Sequence, residues 1–362
     1  MKIALLGPAP PFRGGISLFA SHLGNEFANQ GHELCFFNFR QQYPPILFTA
    51  GKQTDDIKFN HPTRRILTPY LPHTWAPTAK AINEFKPDIT IVSWWLPFFG
   101  PAYANILGRL KHGRKVILAH NVEPHEEWLG TRMLLRSVFS KADEIVVLSK
   151  SCLLELKRNL PSSIVRKAIL GFHPIYDTYG GDTAKTNALP SILFFGMIKA
   201  YKGLDVLLDA MPIIRVAIPD IRLVIAGAVY KDQAAYEEKI RRLDLSAVVE
   251  THFRYISDEE VAGFFRQSDL CVLPYKSATQ SGVISTSYSY DTPVIASDVG
   301  GLSEYIEPDT TGLLVPADNP PALAAAVIHF YGKGLLKQMQ EGIRAYKEKN
   351  TWFELAKIML HE

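Results

Sequence analysis

Cysteine is scarce in this 362-residue chain: three occur, Cys35, Cys152 and Cys271, far apart and each inside an apolar strand or helix pattern. That excludes a disulfide framework and a cysteine-rich zinc site, and it fits a reduced, cytoplasmic setting. A strong charge imbalance is also missing. Lys and Arg number 39 against 36 Asp and Glu, a formal net charge of +3 without a concentrated basic stripe, so no nucleic-acid partner is expected. No apolar run is long enough to span a membrane, because the richest stretch, residues 89–110, is interrupted by two prolines and two glycines. The opening MKIALLGPAPPF has no small-residue cleavage site and reads as a first strand rather than a signal peptide. Repeats and low-complexity tracts are lacking as well. Asp55 and Asp56 read as solvated loop charge, so neither a metal nor another cofactor is expected.

What is present suits a two-domain α/β protein, since 47% of residues are hydrophobic and 21% charged over a length too great for one ordinary core. Residues 2–6 read as a buried parallel strand, and the PAPPFRGG loop opens a helix with Ile16, Phe19, Leu23 and Phe27 on one face, stopped by Gly31. Further strands are expected over 32–39, 88–92, 115–119 and 144–148, a doubly wound pattern. Hydrophobic periodicity lapses over 177–190, DTYGGDTAKTNALP, as in a linker. The same alternation then restarts with a strand over 191–195, a helix carrying Leu204, Leu207, Leu208 and Met211 on one face, and strands over 221–226 and 270–274. Ser257 and Glu260 form a capping box ahead of Val261, Phe264 and Phe265.

Two segments carry the chemistry. Residues 194–211, FFGMIKAYKGLDVLLDAM, and 277–305, SATQSGVISTSYSYDTPVIASDVGGLSEY, each run from a strand through a glycine-containing loop into a helix, the arrangement that points backbone N–H groups at an anion. Lys199 and Lys202 lie just ahead of the first of these helices, where the positive end of the helix dipole disfavours a lysine unless a negative group is near. A bound phosphate satisfies that condition. Lys202 could otherwise be an exposed surface lysine.

At this point the order of motifs resembles the family-4 retaining glycosyltransferases. It rests on the Gly14-Gly15 loop, Gly31-His32, His120-Asn121, Ala142-Asp143-Glu144, FGMIKAYKG, Ser268-Asp269-Leu270, TPVIASDVGGLSEYI and Thr311-Gly312-Leu313, spread over nearly the whole chain. The resemblance implies a GT-B fold, two facing Rossmann-like doubly wound domains with a cleft between them. One would comprise residues 1–178 plus a returning C-terminal helix over 351–362 and bind the acceptor; the other, residues 179–350, would bind the nucleotide sugar. Residue by residue it places Lys202 on the donor pyrophosphate, Gly15 closing on it from the first domain, and His120 near the donor sugar. Gly14, Gly196, Met197 and Tyr255 join the donor contacts, and Lys199 can supply the charge of the arginine that the family has at Met197.

A larger departure is the absence of two family glutamates, in whose places stand Ala278 and Thr286. Thr279, Gln280, Ser281, Gly282 and Val283 can still offer hydroxyl, amide and backbone N–H groups to a sugar phosphate, while residues 285–289 read equally well as a polar-decorated buried helix. His125 and Glu126 add polar groups to the loop that follows His120. For the acceptor, the irregular segment 38–65 interleaves Arg40, Arg64 and Arg65 with Tyr43 and Phe59; together with Trp94 and Trp95 it can form an amphipathic surface, or the aromatics can be ordinary packing.

The expectation is a retaining, metal-independent hexosyltransferase that moves sugar from a UDP- or GDP-sugar to a surface glycan or lipid-linked acceptor, working in the cytoplasm with peripheral contact at the inner membrane face. The resemblance implies a front-face reaction in which the leaving diphosphate helps deprotonate the acceptor. A carbohydrate-binding protein that has lost turnover and a GT-B nucleotide-sugar epimerase are the alternatives.

Overall fold

A computed structural model describes residues 1–44, 54, 59–122, 130–176, 186, 189–278 and 281–362. The chain divides into two compact units, Met1–His173 with Trp352–Glu362, and Pro174–Thr351. The division comes at 173/174, ahead of the 178/179 that the resemblance implies. The residues just past it are tied to unit 2: Ser285 donates its hydroxyl to the Pro174 carbonyl at 2.7 Å, and the Ile175 N–H donates to Asn350. The linker expected over 177–190 lies mostly outside the described residues.

Unit 1 begins with β1 (Lys2–Leu6), α1 (Gly15–Asn29), β2 (Glu33–Phe39), β3 (Thr63–Leu67), α2 (Trp75–Phe85), β4 (Ile89–Trp94) and α3 (Gly100–Arg109). It continues with β5 (Arg114–Ala119), α4 (Thr131–Phe139), β6 (Glu144–Val147), α5 (Lys150–Asn159), α6 (Ser162–Val165) and β7 (Ala168–Leu170). Its described strands pair in parallel in the order β3-β2-β1-β4-β5-β6-β7. The central strands are covered on both faces and read as continuous apolar runs, and β4 is buried from end to end.

Unit 2 repeats the plan with β8 (Ser191–Phe195), α7 (Leu204–Ala217), β9 (Arg222–Ala226), α8 (Gln233–Arg242), β10 (Val249–His252), α9 (Asp258–Arg266) and β11 (Leu270–Leu273). Then come α10 (Gly282–Ser289), β12 (Val294–Ser297), β13 (Gly312–Val315), α11 (Pro320–Gly332) and α12 (Leu336–Lys349). The parallel order is β10-β9-β8-β11-β12-β13. Leu204, Leu207, Leu208 and Met211 of α7 are fully buried, and the Ser257–Glu260 capping box opens α9. Asp291, its side chain buried, receives Arg344 at 2.8 Å and Lys347 at 2.6 Å and so ties the end of α10 to α12.

The last helix, α13 (Trp352–Leu360), belongs to unit 1 and packs on α1 through Trp352, which stacks on His22 and meets Phe19 edge-on. Arg114 makes a two-pronged contact with Glu144 and donates to the Met359 carbonyl at 2.6 Å, while His361 bonds Glu144 at 2.9 Å. Burial alone would raise the Glu144 carboxyl, but the Arg114 and His361 hydrogen bonds hold it below the usual carboxylate range.

Each sheet reverses strand order beside its first strand, between β1 and β4 and between β8 and β11. Loops leaving the carboxyl ends of such neighbours diverge and leave a crevice, which is where α/β proteins hold ligands.

Candidate functional site

In unit 2 the crevice is framed by the loop after β8 and the loop after β11. Gly203 is what lets them meet: its φ is +68°, and a Cβ there would sit 1.9 Å from the Pro274 carbonyl oxygen. This backbone contact seats the short turn Ala200–Lys202 against Tyr275. The Lys202 ammonium lies 5.4 Å from the Tyr275 ring centre and close above Gly196, where a Cβ would come within 3.2 Å of Nζ. Among the described residues no carboxylate pairs with it. Burial accordingly pulls Lys202 below the ordinary lysine range, with Tyr201 and Cys271 acting the other way. Ser281 caps α10 by accepting the Val283 N–H and also bonds Tyr275 at 3.3 Å. Val283, the second residue of α10, lies against Gly196. Burial pushes the Tyr275 phenol well above its usual range, so it stays protonated.

Unit 1 has a cavity of about 210 Å³ at the matching reversal, between the start of α1 and the segments after β2 and β4. Gly14 and Gly15 form its exposed edge, and buried Ser17, Gln42 and Trp95 form its inner wall. Trp95 donates its indole N–H to the Tyr43 hydroxyl at 3.3 Å, and Gln42 also bonds that oxygen. Burial raises the Tyr43 phenol. Arg13 is a further lining residue, and among the described residues no carboxylate lines the cavity. α1 has no acid in its first turn and, among the described residues, no side-chain cap, so the positive end of its dipole lies at the edge of this space.

Behind the cavity, Phe19 is ringed by His120 at 4.9 Å, His173 at 5.1 Å and Trp352 at 4.8 Å between ring centres, each edge-on. Burial first, and His173 second, lower His120 to about 3 and His22 to about 4. His120 is therefore neutral at working pH and suited to hydrogen bonding rather than to holding a proton in reserve.

Of the residues singled out from sequence, Gly196, Lys202, Ser281, Gly282 and Val283 gather in unit 2, and Gly14, Gly15, Tyr43 and Trp95 gather in unit 1. Others are dispersed. Lys199 is exposed with its ammonium 5.1 Å from the Tyr230 ring centre, and Met197 and Tyr255 are 48% and 51% exposed. The Thr286 hydroxyl donates to the Gly282 carbonyl of its own helix at 3.1 Å. Arg40 is exposed, its carbonyl accepting from Arg65 at 3.4 Å. Trp94 must be corrected: it is 0% exposed and packs edge-on against Phe139, so it belongs to the core and not to an acceptor surface. His125, Glu126, Thr279 and Gln280 lie outside the described residues. Sequence reasoning missed Arg13, Ser17, Gln42, Tyr275, His22 and His173, which reach these places only through tertiary folding.

Comparison with known proteins identifies the family. Residues 13–166 match the family model described as Glycosyltransferase Family 4, and residues 189–333 match Glycosyl transferases group 1. A D-inositol 3-phosphate glycosyltransferase of Jonesia denitrificans is 32% identical over 176 residues, 47% of this chain and 41% of that protein. The chain thus spans about two fifths of that relative's length. Sucrose-phosphate synthase from Thermosynechococcus elongatus superposes with a TM-score of 0.76 at 19% identity, covering 99% of this chain and 97% of that one. Anabaena HepE in complex with UDP gives 0.78 at 14% identity, covering 100% and 99%. At these identities the two structures speak for the fold, two Rossmann-like units of GT-B type. With both halves matched, the chain belongs to the group 1 and family 4 glycosyltransferases.

Proposed function

We propose that this protein is a retaining glycosyltransferase that takes sugar from a UDP- or GDP-sugar and delivers it to a surface-glycan or lipid-linked acceptor. One observation carries the donor half of the reading: Lys202 is a half-buried ammonium set close above Gly196, with no carboxylate partner among the described residues. A cation in that position, just ahead of a helix start, calls for a nearby anion. The diphosphate of a nucleotide sugar supplies one, and the starts of α7 and α10 add backbone N–H groups. The UDP-bound state of the Anabaena relative supports a uridine nucleotide as the first candidate.

In this reading Lys202 stabilises charge as it builds up on the departing diphosphate, an effect worth about 2–4 kcal/mol where a donor to a developing oxyanion is removed. The family resemblance assigns Gly15 a phosphate contact through its N–H and His120, neutral and hydrogen-bonding, a contact with the sugar. The acceptor hydroxyl attacks from the face the diphosphate leaves, its proton passing to the leaving phosphate oxygen. No divalent ion is assigned a role. Among the described residues no cluster of His, Cys, Asp and Glu could hold a metal ion.

For the lipid-linked acceptor, support comes from the exposed basic residues Arg40, Arg64 and Arg65 around the end of β2, although Arg64 is paired with Glu84 at 3.8 Å. Among the described residues no helix is long and apolar enough to cross a membrane. A second reading, a binding protein without turnover, draws on Thr286 and Ala278, which stand where the family has carboxylates.

The test is thermal stabilisation by UDP, GDP and ADP, followed by hydrolysis of the matching sugar nucleotide. One nucleotide should raise the melting point in the native protein and not in Lys202→Ala. Stabilisation without hydrolysis or transfer favours the binding protein, and no stabilisation by any of the three defeats both readings.

A further inference from the structure

The sequence carries no basic stripe, but the fold assembles a basic face from short pieces. Residues 130–167 hold eight Lys and Arg against three Asp and Glu, a net +5 in a chain whose total is +3. α4 and α5 themselves contain one acid, Glu155, and it is buried. The helices α3, α4 and α5 are neighbours: a Cβ on Gly100 would meet Leu134, one on Gly108 would meet the Lys141 side chain, and Arg132 of α4 reaches Asn159 of α5 at 3.3 Å. Their inner sides, with Ile106, Leu135, Val138, Cys152 and Leu156, join the core. Exposed on the other side are Arg109 on α3, Arg132 and Arg136 on α4, and Lys150, Lys157 and Arg158 on α5. Arg136, Lys157 and Arg158 have no carboxylate within ion-pair reach among the described residues, whereas other surfaces pair theirs, as in Lys2–Glu33 and Lys239–Asp209.

Two large apolar side chains stand among these cations. Met133 is 71% exposed between Arg132 and Arg136, and Leu154 is 52% exposed within a turn of Lys150, Lys157 and Arg158. Like charges such as Arg132 and Arg136, four apart on one helix, repel, and a face of this kind is relieved by an anionic surface laid against it. A purely acidic partner answers the cations and leaves Met133 and Leu154 in water. A bilayer containing anionic lipid answers both: the charged tips stay among the headgroups while the aliphatic side chains and the Lys and Arg stems reach the acyl boundary.

We propose that the outer face of α3, α4 and α5 docks the protein on an anionic bilayer. This surface is separate from the arginines around the end of β2. The inference deepens the lipid-linked acceptor reading and rests on it for the purpose of the contact, while the contact itself is measured without substrate.

The experiment sediments the intact chain with vesicles of phosphatidylcholine and with vesicles of phosphatidylcholine and phosphatidylglycerol in equal parts. Binding should require the anionic lipid and fall away at about 1 M salt, where the screening length is about 3 Å. Arg136→Gln, Lys157→Gln and Arg158→Gln together should lower vesicle affinity about 100-fold, roughly fivefold for each charge. Met133→Ser with Leu154→Ser should lower it about tenfold, and both variants should melt as the native protein does, since the altered side chains are exposed. Equal binding to the neutral vesicles, or full binding by both variants, overturns the proposal. Poly-glutamate bound as tightly as the anionic vesicles, with no loss in Met133→Ser with Leu154→Ser, assigns the face to an acidic macromolecule and overturns it too. Vesicle binding without transfer to a sugar on polyprenyl diphosphate defeats the acceptor reading and leaves this face standing. Transfer to that acceptor without vesicle binding defeats the face alone.

Discussion

Mild acid should loosen unit 1 well before unit 2. His22 and His120 are held to about 4 and about 3, against an ordinary histidine value near 6.5, chiefly because burial penalises the charged ring. The sign follows from where the proton can go. Above about pH 6.5 both rings are neutral whether the unit is folded or not, and their contribution to stability is fully present. Below it the unfolded chain takes up protons that the folded chain refuses, so stability falls as pH drops from about 6.5 towards the folded values. The slope approaches about 1.4 kcal/mol per pH unit for each ring, and two rings between pH 6 and 5 come to roughly 2–3 kcal/mol. Tryptophan emission reports the effect, because the tryptophans among the described residues, Trp75, Trp94, Trp95 and Trp352, all belong to unit 1. Urea midpoints followed by emission should therefore decline over this interval by more than midpoints of a later phase seen by circular dichroism. His22→Gln should remove about half of the decline. A tryptophan-reported midpoint that stays level from pH 6.5 to 5, or a decline untouched in His22→Gln, would refute the burial argument.

Other outcomes follow from single contacts. Lys202→Ala should cut turnover by about 2–4 kcal/mol of barrier, 30-fold to near 1,000-fold, with melting unchanged in the absence of nucleotide; full activity in steady-state assays would remove the phosphate site. Gly203→Ala should destabilise unit 2 by at least about 1–3 kcal/mol, since it puts a Cβ 1.9 Å from the Pro274 oxygen at a positive φ, and a thermal melt of the purified variant measures it. Ser17→Ala should leave the melting point of the unliganded protein unchanged or raise it, because it removes a buried hydroxyl that lacks a partner; a clear drop would mean the hydroxyl is structural. Arg114→Met should cost about 1–3 kcal/mol by stripping Glu144 and the Met359 carbonyl of their shared partner, and limited proteolysis should then reach residues 352–362 earlier.

The sheets and their helices were legible in the sequence because each leaves a local mark. The continuous apolar run of β4, the Leu204–Met211 stripe of α7 and the Ser257–Glu260 box need no knowledge of distant residues. Lys202 stood out for the same reason, as a cation just before a helix, and the fold adds its place between Gly196 and the Tyr275 ring. The aromatic pair was not. Trp94 and Trp95 are adjacent and alike in sequence, yet one is sealed against Phe139 of α4 while the other gives its N–H to Tyr43, 52 positions away. Ser17 shows the same limit, since a serine at a helix start reads as an ordinary polar residue until the wall opposite it is known. The histidines around Phe19 come from α1, from the end of β5 and from the segment after β7, and no spacing rule links them.

The return of α13 bears on how the protein comes into being. Residues 174–351 form an uninterrupted stretch, so unit 2 can fold as soon as it leaves the ribosome. Unit 1 is translated first but lacks the Trp352 ring for Phe19 and His22, and the helix that Arg114 holds, until all of unit 2 has emerged. Its early segments must therefore wait, partly assembled, with an apolar face of α1 uncovered. The part of the chain made first is the last to be finished, and a nascent chain stalled anywhere in unit 2 would offer that face to chaperones.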